Sequence, residues 1–179
     1  ITCRWVVIIL FFFTIFNVKA QAPPSQEYQV KAVFLFNFTQ FIEWPSSEFN
    51  EPDMPFVIGV LGKNPFGTYL TDAISNEKVN GHSLVVHYFN TVEEIKACNI
   101  LFINFTETKK LEQVIASLKG KSILTVSDAN NFLKLGGIIR FYTKDDKIQL
   151  QINPEAAKAL GLTSSTKLLR LAEIIVPKK

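Results

Sequence analysis

The sequence from Tyr28 to Pro45 is YQVKAVFLFNFTQFIEWP, and this stretch predicts the first helix of the domain. When side chains are placed at about 100° per residue, the polar ones form a stripe that consists of Gln26, Gln29, Asn37, Gln40 and Glu43. Val33, Phe36 and Trp44 fall inside that stripe. An ordinary surface helix has an apolar arc of little more than about 100°, so this helix has more apolar surface than one core contact needs. We expect it to end before Pro45, because the residue preceding a proline is pushed out of helical geometry.

Two interpretations of this surplus apolar surface remain open. Later helices of the same domain cover it, or part of it contacts another protein. Large exposed apolar side chains are costly in water, and interface hot spots are enriched in Trp and Tyr. Our candidates for a protein contact are Val33, Phe36, Phe41 and Trp44.

Residues 1–20 are predicted to be an export signal. Arg4 supplies a short positive region, and Trp5 to Phe16 form an apolar run. This run is shorter than the roughly 20 residues of a membrane-spanning helix, and it suits a signal-peptide core of about 7–15 residues. We predict cleavage near Ala20, followed by a disordered leader over 21–27 and a single domain over 28–179. An uncleaved N-terminal anchor is the alternative.

Charge and cysteine content exclude several classes of protein. Without Arg4 and Lys19, the 19 basic residues fall to 17 against 16 acidic ones. A nearly neutral domain lacks the concentrated basic patch that nucleic-acid binding requires, so we expect no nucleic-acid partner. Cys3 leaves with the signal, and Cys98 then has no partner for an internal disulfide. A buried free thiol is the expected state of Cys98, since free cysteine is among the most buried residue types.

The remaining chain alternates apolar strand patterns with helical ones. Strands are predicted over 56–61, 84–88, 100–103 and 123–126, and helices begin at Asn64-Pro65 and at Thr106. A hairpin over 138–152, turning at 144–146, precedes closing helices over 154–160 and 165–175. Strands separated by helices pair in parallel through right-handed crossovers. We therefore predict a three-layer α/β/α sandwich with a mostly parallel sheet and an antiparallel hairpin near the C-terminus that forms its edge.

The search for catalytic and metal-binding motifs yields no site. Residues 62–68 have the glycine spacing of a phosphate loop, but the lysine that must follow the second glycine is missing. His82 and His87 do not share a helix face, and they have no cysteine or carboxylate cluster beside them. Asp128 follows a strand, where α/β proteins often place functional groups, but capping of a following helix is the favoured role. We predict no enzyme activity, no cofactor and no metal.

The opening motif VKAVFLFNF…FIEWP (30–45) resembles that of the YfiR family of periplasmic proteins. Further segments occur in the same order as in that family, and they are VLGKNPFG (60–67), CNILFI (98–103), LTVSD (124–128), GGII (136–139), IN (152–153), GLTSS (161–165) and LLRLA (168–172). The resemblance implies a non-enzymatic, periplasmic, dimer-forming regulator with an α/β fold. The best-understood member represses an inner-membrane diguanylate cyclase from the periplasmic side and so lowers cyclic-di-GMP output. The implied partner is thus an inner-membrane diguanylate cyclase or sensor protein, together with a second copy of the chain.

One position departs from the pattern of some family members. They carry a cysteine where Gly59 stands here, able to pair with the counterpart of Cys98. A glycine cannot form that bond, so redox switching through it is not expected in this protein. A periplasmic small-ligand sensor remains the alternative function, because α/β sheets offer crevices at their strand ends that aromatic residues such as Trp44 can line.

Overall fold

The computed structural model describes residues 25–49, 51 and 53–177. The predicted export signal and residues 21–24 of the predicted leader lie outside the described residues. The described helices are α1 (Gln26–Phe41), α2 (Tyr69–Ala73), α3 (Thr108–Ser117), α4 (Pro154–Ala159) and α5 (Thr166–Leu171). Short 3-10 helices cover Ser46–Phe49, Val92–Glu94 and Phe132–Leu135. The strands are β1 (Ile42–Glu43), β2 (Phe56–Gly62), β3 (Lys78–Val79), β4 (His82–Phe89), β5 (Ile100–Asn104), β6 (Leu124–Ser127), β7 (Ile139–Lys144), β8 (Lys147–Ile152), β9 (Thr163–Ser164) and β10 (Ala172–Ile174).

In the described part of the chain, the main sheet has eight strands in the order β10-β8-β7-β6-β5-β2-β4-β3. The strands from β4 across β2, β5 and β6 to β7 pair in parallel, while β7 and β8 form an antiparallel hairpin. The predicted α/β fold with a mostly parallel sheet is confirmed. The hairpin turns at Asp145 and Asp146, whose φ angles of 51° and 56° match the positive values that a two-residue type I′ turn requires.

Apolar side chains cover both faces of the central strands. Along β2 and β5, alternate residues point to opposite faces, so Ile58 and Val60 join one core while Val57 and Leu61 join the other. The first core is closed by α1, α2, α4 and α5, and the second by α3 and two of the 3-10 helices. These two cores separate three layers, and the long apolar runs of the central strands follow from burial on both sides.

The first helix is shorter than predicted at its C-terminal end. It ends at Phe41, and Ile42 is extended with φ −117° and ψ 139°. Ile42 and Glu43 instead pair with β9, opposite Ser164 and Thr163. The helix therefore stops at Phe41, before Pro45 could end it, because backbone pairing with a distant segment outweighs the helical pattern.

Two further predicted elements differ from the structure. Asn64 does not cap a helix: its side chain accepts a hydrogen bond from Phe66 N at 2.9 Å and donates one to the Gly67 carbonyl at 2.9 Å. This turn delays α2 until Tyr69. The predicted closing helix over 165–175 ends at Leu171, and Ala172–Ile174 then forms β10 in parallel with β8. The hairpin is consequently covered on its outer side, and β10 is the edge of the sheet.

Candidate functional site

The outward side of α1 carries the part of the predicted contact surface that is most open to solvent. Val33 is 43 % exposed and Val30 is 40 % exposed. Asn37 lies four residues after Val33, and Gln40 lies three residues after Asn37. These spacings keep side chains on one side of a helix. We call Val30, Val33, Asn37 and Gln40 the outer face of α1. It is a narrow strip with two exposed aliphatic side chains and two amides.

Phe36 and Phe41 do not join this strip. They are five residues apart, which places them about 140° apart around the helix axis. Both are partly buried against the core on the α1 side of the sheet. Lys167 Nζ of α5 lies 5.0 Å from the centre of the Phe41 ring. The structure therefore uses much of both aromatic rings for packing inside the domain.

Trp44 lies beyond the helix, so the predicted position on its polar stripe was wrong. Its ring packs edge-on against Phe56, with 4.9 Å between the ring centres. The indole N–H donates to the Asn99 carbonyl at 3.3 Å. Asn99 itself binds the start of β2, because its side-chain oxygen accepts from Val57 N at 2.8 Å. Trp44 is thus held against the N-terminal ends of β2 and β5, and it remains partly exposed.

An open groove of about 850 Å³ lies beside Trp44, and we call it the Trp44 groove. Gln40 belongs to both this groove and the outer face of α1, so the two surfaces are continuous. A second groove, of about 510 Å³, lies between the first turns of α1 and the β7–β8 hairpin and includes Val30. The outer face of α1 therefore runs between two grooves. The side chains around the Trp44 groove are Thr39, Gln40, Ile42, Glu43, Trp44, Ser46, Phe49, Lys78, Val79, Asn80 and His82.

A buried ionic cluster holds the N-terminal end of α1, and its residues were not among the predicted site residues. Lys31 is only 2 % exposed, and its Nζ lies 2.8 Å from Asp128 Oδ2 and also pairs with Glu27. The Tyr28 hydroxyl donates to the same Asp128 oxygen at 3.1 Å. Lys31 Nζ also lies 4.3 Å from the centre of the Tyr28 ring. One signal could have found the cluster, because Lys31 sits in the middle of the core-facing side of the helix.

Asp128 therefore pairs with α1. It does not cap the following turn, so the interpretation favoured from the sequence was wrong. Ala129 N instead donates its hydrogen bond to the Ser127 hydroxyl oxygen at 3.2 Å. Burial, together with the negative charge of Asp128 and the hydrogen bond to it, raises the pKa of Tyr28 above its ordinary value. The cluster joins the start of α1 to the C-terminal end of β6.

Arg140 on β7 extends the polar surface next to this cluster. Its Nε donates to the Ala129 carbonyl at 3.1 Å, and its terminal nitrogens donate to Asn130 and Gln151. Gln151 in turn donates to Glu173 at 2.9 Å. The guanidinium thus binds three acceptors of its own chain. These hydrogen bonds connect the loop after β6 with β7 and β8.

The family model for YfiR/HmsC-like proteins matches residues 28–173. The chain belongs to this family. A search of the curated proteins finds no match. The family match includes α1 from Tyr28 onward, Trp44, Lys31 and Asp128 of the ionic cluster, and β10 as far as Glu173. No described helix combines the length and the apolar character needed to cross a lipid bilayer.

Cys98 is a buried free thiol, as predicted. Its Sγ donates to the Ile100 carbonyl at 3.0 Å, and burial raises its pKa to about 12. A Cβ added at Gly59 would lie 2.8 Å from Cys98 Sγ. Position 59, where the resemblance implies a cysteine in some family members, thus faces this thiol directly. Since the thiolate is the reactive form, the raised pKa of this buried thiol leads us to expect slow reaction with thiol reagents at neutral pH.

We expect Cys98→Ser to lower the free energy of unfolding by about 1–3 kcal/mol, because it places a hydroxyl among apolar side chains. Cys98→Ala should cost less, and both variants should retain regulatory function. Urea unfolding measures the first effect, and native-state labelling with a thiol reagent should be slow in the wild type. Loss of regulation in a well-folded Cys98→Ala protein would instead show that the thiol is functional.

The structure also places the remaining candidates for small-molecule chemistry. The strand order reverses between β2 and β5, a place where α/β sheets commonly bind ligands, and a groove of about 350 Å³ lined by Leu61 and Phe105 lies at these strand ends. Gly62 has φ 97° and a Cβ there would meet the Phe105 ring at 2.7 Å, while Asn104 donates to the Lys63 carbonyl at 2.7 Å. His82 is buried and its Nδ1 donates to the Met54 carbonyl. Across residues 25–49, 51 and 53–177, no three His, Cys, Asp or Glu side chains are grouped as metal ligands.

Proposed function

We propose that this protein is a non-enzymatic periplasmic regulator that binds and represses an inner-membrane signalling protein, with a diguanylate cyclase as the expected partner. The family match over residues 28–173 carries the proposal. In this proposal, residues 1–20 direct export and are removed near Ala20, and the exported protein forms a homodimer. Intact-mass measurement on periplasmic protein tests the cleavage, and analytical ultracentrifugation tests the dimer.

We assign the partner contact to the outer face of α1 and the adjoining Trp44 groove. Val30 and Val33 are exposed aliphatic residues on a helix whose opposite side packs into the domain. Trp44 is anchored by Phe56 and Asn99 and keeps part of its ring in solvent. A preformed aromatic beside an aliphatic strip is the arrangement that binding hot spots favour. Phe36 and Phe41 flank this strip and are partly buried against the core.

Deleting the gene should raise cellular cyclic-di-GMP, and the exported wild-type protein should restore the low level. Val33→Asp should fail to restore it, because a carboxylate would be buried without a partner in the complex. Since Val33 is 43 % exposed, the thermal midpoint of the variant should stay close to that of the wild type. Cyclic-di-GMP quantified by mass spectrometry and co-purification with the detergent-solubilised cyclase measure the two effects.

Ala116→Asp is the matched control for Val33→Asp. Ala116 is an exposed helical residue of α3, in the layer on the other side of the sheet. The substitution introduces the same charge on another helix, and repression should persist. Equal loss of repression in both variants, or normal repression by Val33→Asp, would remove the support for this surface.

A small-ligand sensor is the second candidate, and the Trp44 groove is the observation that favours it. Glu43, Lys78 and His82 place charged and polar groups around its aromatic wall. A sensor would lose its response to a periplasmic extract in Trp44→Ala while Val33→Asp keeps it. The regulator proposal predicts that both substitutions weaken the cyclase contact.

A further inference from the structure

The strand β4 leaves most of its outer edge unpaired among the described residues. The short strand β3 pairs only with its first two residues, His82 and Ser83. Residues 84–89 continue along this edge, and their one described strand partner is β2, on the inner side. Their sequence is LVVHYF, with no Lys, Arg, Asp, Glu or Pro. Proteins usually protect an open edge with charges, prolines or bulges, so we expect another chain to cover this one.

Hydrogen bonds close the open edge at both of its ends. At the β3 end, Leu84 N donates to the Glu77 carbonyl at 3.2 Å. At the other end, Asn90 N donates to the side chain of Glu94 at 2.8 Å. Alternate residues of a strand direct their backbone groups to opposite sides, so the bond to Glu77 shows that the even-numbered residues of β4 face away from β2. The edge is therefore open between residues 84 and 90.

Val86 and Tyr88 are the outward-facing residues within this interval. In the described part of the chain, neither has a hydrogen-bond partner for its backbone on the outer side. Their N–H and C=O groups flank His87, whose own backbone faces β2. An antiparallel strand that pairs here must offer two outward-facing residues with one residue between them. A second copy of β4, turned about a two-fold axis at His87, offers this arrangement.

The side chains of this edge complement themselves in the same register. On the α2 side of the sheet, Val86 would lie opposite Tyr88 of the second copy, and Tyr88 is 45 % exposed. On the α3 side, Val85 would lie opposite Phe89 of the second copy. Pairs of an aromatic and a β-branched residue stabilise antiparallel strands. The exposed His87 would face its own counterpart, and residues 84–89 bring no like charges together.

Other arrangements suit the two open edges less well. Lipid hydrocarbon would leave the outward N–H and C=O groups of β4 without partners. The edge at β10 is three residues long. Its outward residues are Ala172 and Ile174, because Ile175 N donates to the Ile152 carbonyl. Pairing them with a second copy about Glu173 would place two carboxylates opposite each other, which is destabilising.

We propose that two copies of the protein dimerise through the outer edge of β4, in antiparallel pairing centred on His87. Val86 of each copy exchanges backbone hydrogen bonds with Tyr88 of the other, and the two sheets become one. The inference rests on the proposed function only for the existence of a homodimer, and it adds the place where the copies meet. Residues 84–90 do not line the Trp44 groove, so the dimer and the proposed partner contact use different residues.

Sedimentation velocity of the exported protein over a concentration series tests the interface. His87→Lys should raise the dissociation constant of the dimer by about tenfold or more, because it places like charges opposite each other. His87 is exposed, so the variant should keep the circular dichroism of the wild type. Ile174→Lys is the matched control, since it adds the same charge at an exposed position of β10, and its dimer should persist.

Cross-linking and hydrogen exchange test the register. His87→Cys should form a disulfide between copies under diamide, because Cα atoms of such an opposed pair lie about 4.5 Å apart, within disulfide range. Ser83→Cys lies on the same face of β4, but the two positions would be about 27 Å apart and should not cross-link. Cys98 is buried and adds no background. Amide exchange at Val86 and Tyr88 should slow as the dimer forms.

Two results would refute this interface and leave a homodimer in place. They are a dimer that His87→Lys leaves intact and equal cross-linking at positions 83 and 87. A dimer that Ile174→Lys alone dissociates would assign the interface to β10. A monomeric wild type whose His87→Lys variant no longer co-purifies with the cyclase would assign the β4 edge to the membrane partner. Sedimentation and cross-linking contain no cyclase, so their failure is distinct from a failure of repression in cells.

Discussion

Replacing Asp128 with alanine is expected to lower the free energy of unfolding by about 3 kcal/mol, the low end of the cost of breaking a buried ion pair. Lys31 would remain 2 % exposed with only the half-exposed Glu27 as a charged partner. The Tyr28 hydroxyl would also lose its acceptor. Chemical unfolding in urea at neutral pH measures the loss. Because Glu27 still pairs with Lys31, the loss of stability should stay at the low end of the cost of breaking a buried ion pair.

The titration of Tyr28 supplies an independent readout of the same cluster. Its pKa is raised in the folded protein, so the stability that it contributes is complete below its ordinary pKa of about 10 and is lost as pH rises through the folded value. In Asp128→Ala the pKa of Tyr28 should fall toward the ordinary value, because one charge and one hydrogen bond that raise it are gone. Ultraviolet absorbance of the phenolate follows this change.

A double variant separates charge burial from loss of packing. Lys31→Met with Asp128→Leu removes both charges and keeps apolar volume, and such replacements are often neutral or stabilising. We expect it to be more stable than Asp128→Ala alone. If the single and double variants lose equal stability, the ion pair contributes nothing beyond its packing.

Phe141→Ala should be the other strongly destabilising change, costing about 3–5 kcal/mol as large core truncations do. The Phe141 ring is fully buried, with ring centres of Phe34, Phe38 and Phe102 at 5.9 Å, 6.1 Å and 6.4 Å. It joins α1 to β7 and β5 in one aromatic stack. Thermal and urea unfolding should both show the loss, with α1 less protected in hydrogen exchange.

Phe141→Leu is the matched control for that truncation. It keeps most of the apolar volume and should cost much less than the alanine variant, because volume-conserving core substitutions are tolerated best. Repression should survive in Phe141→Leu, since the residue has no exposed surface. A Phe141→Ala protein as stable as the wild type would contradict the role assigned to the stack.

The sequence predicted the central strands well and the chain segments at the sheet margins poorly. An apolar run such as that of β2, bounded by a proline and glycine-rich turn, has few structures other than a strand buried on both faces. Ile42–Glu43 and Ala172–Ile174 carry helical patterns instead. Their extended conformation comes from pairing with β9 and β8, and no local pattern encodes a partner so distant in the chain.

The candidate site divides in the same way. Exposure of Val33 followed from its place in the polar stripe, but the partial burial of Phe36 and Phe41 depended on which neighbours cover each side of α1. Asp128 looked like a helix cap because caps are local. Its actual partner, Lys31, lies 97 residues away, and only the folded sheet brings the two charges together.

The pairing of β1 with β9 has a consequence for the order of folding. The segment after α1 cannot complete its backbone hydrogen bonds until residues near Thr163 are present, and Ser165 N donates to the Phe41 carbonyl beside them. Contacts between sequence-distant segments slow folding, because the loop between them must close first. In a chain that crosses a membrane N-terminus first, Ile42 and Glu43 would therefore wait for their strand partner until Thr163 and Ser164 have emerged, near the end of the passage.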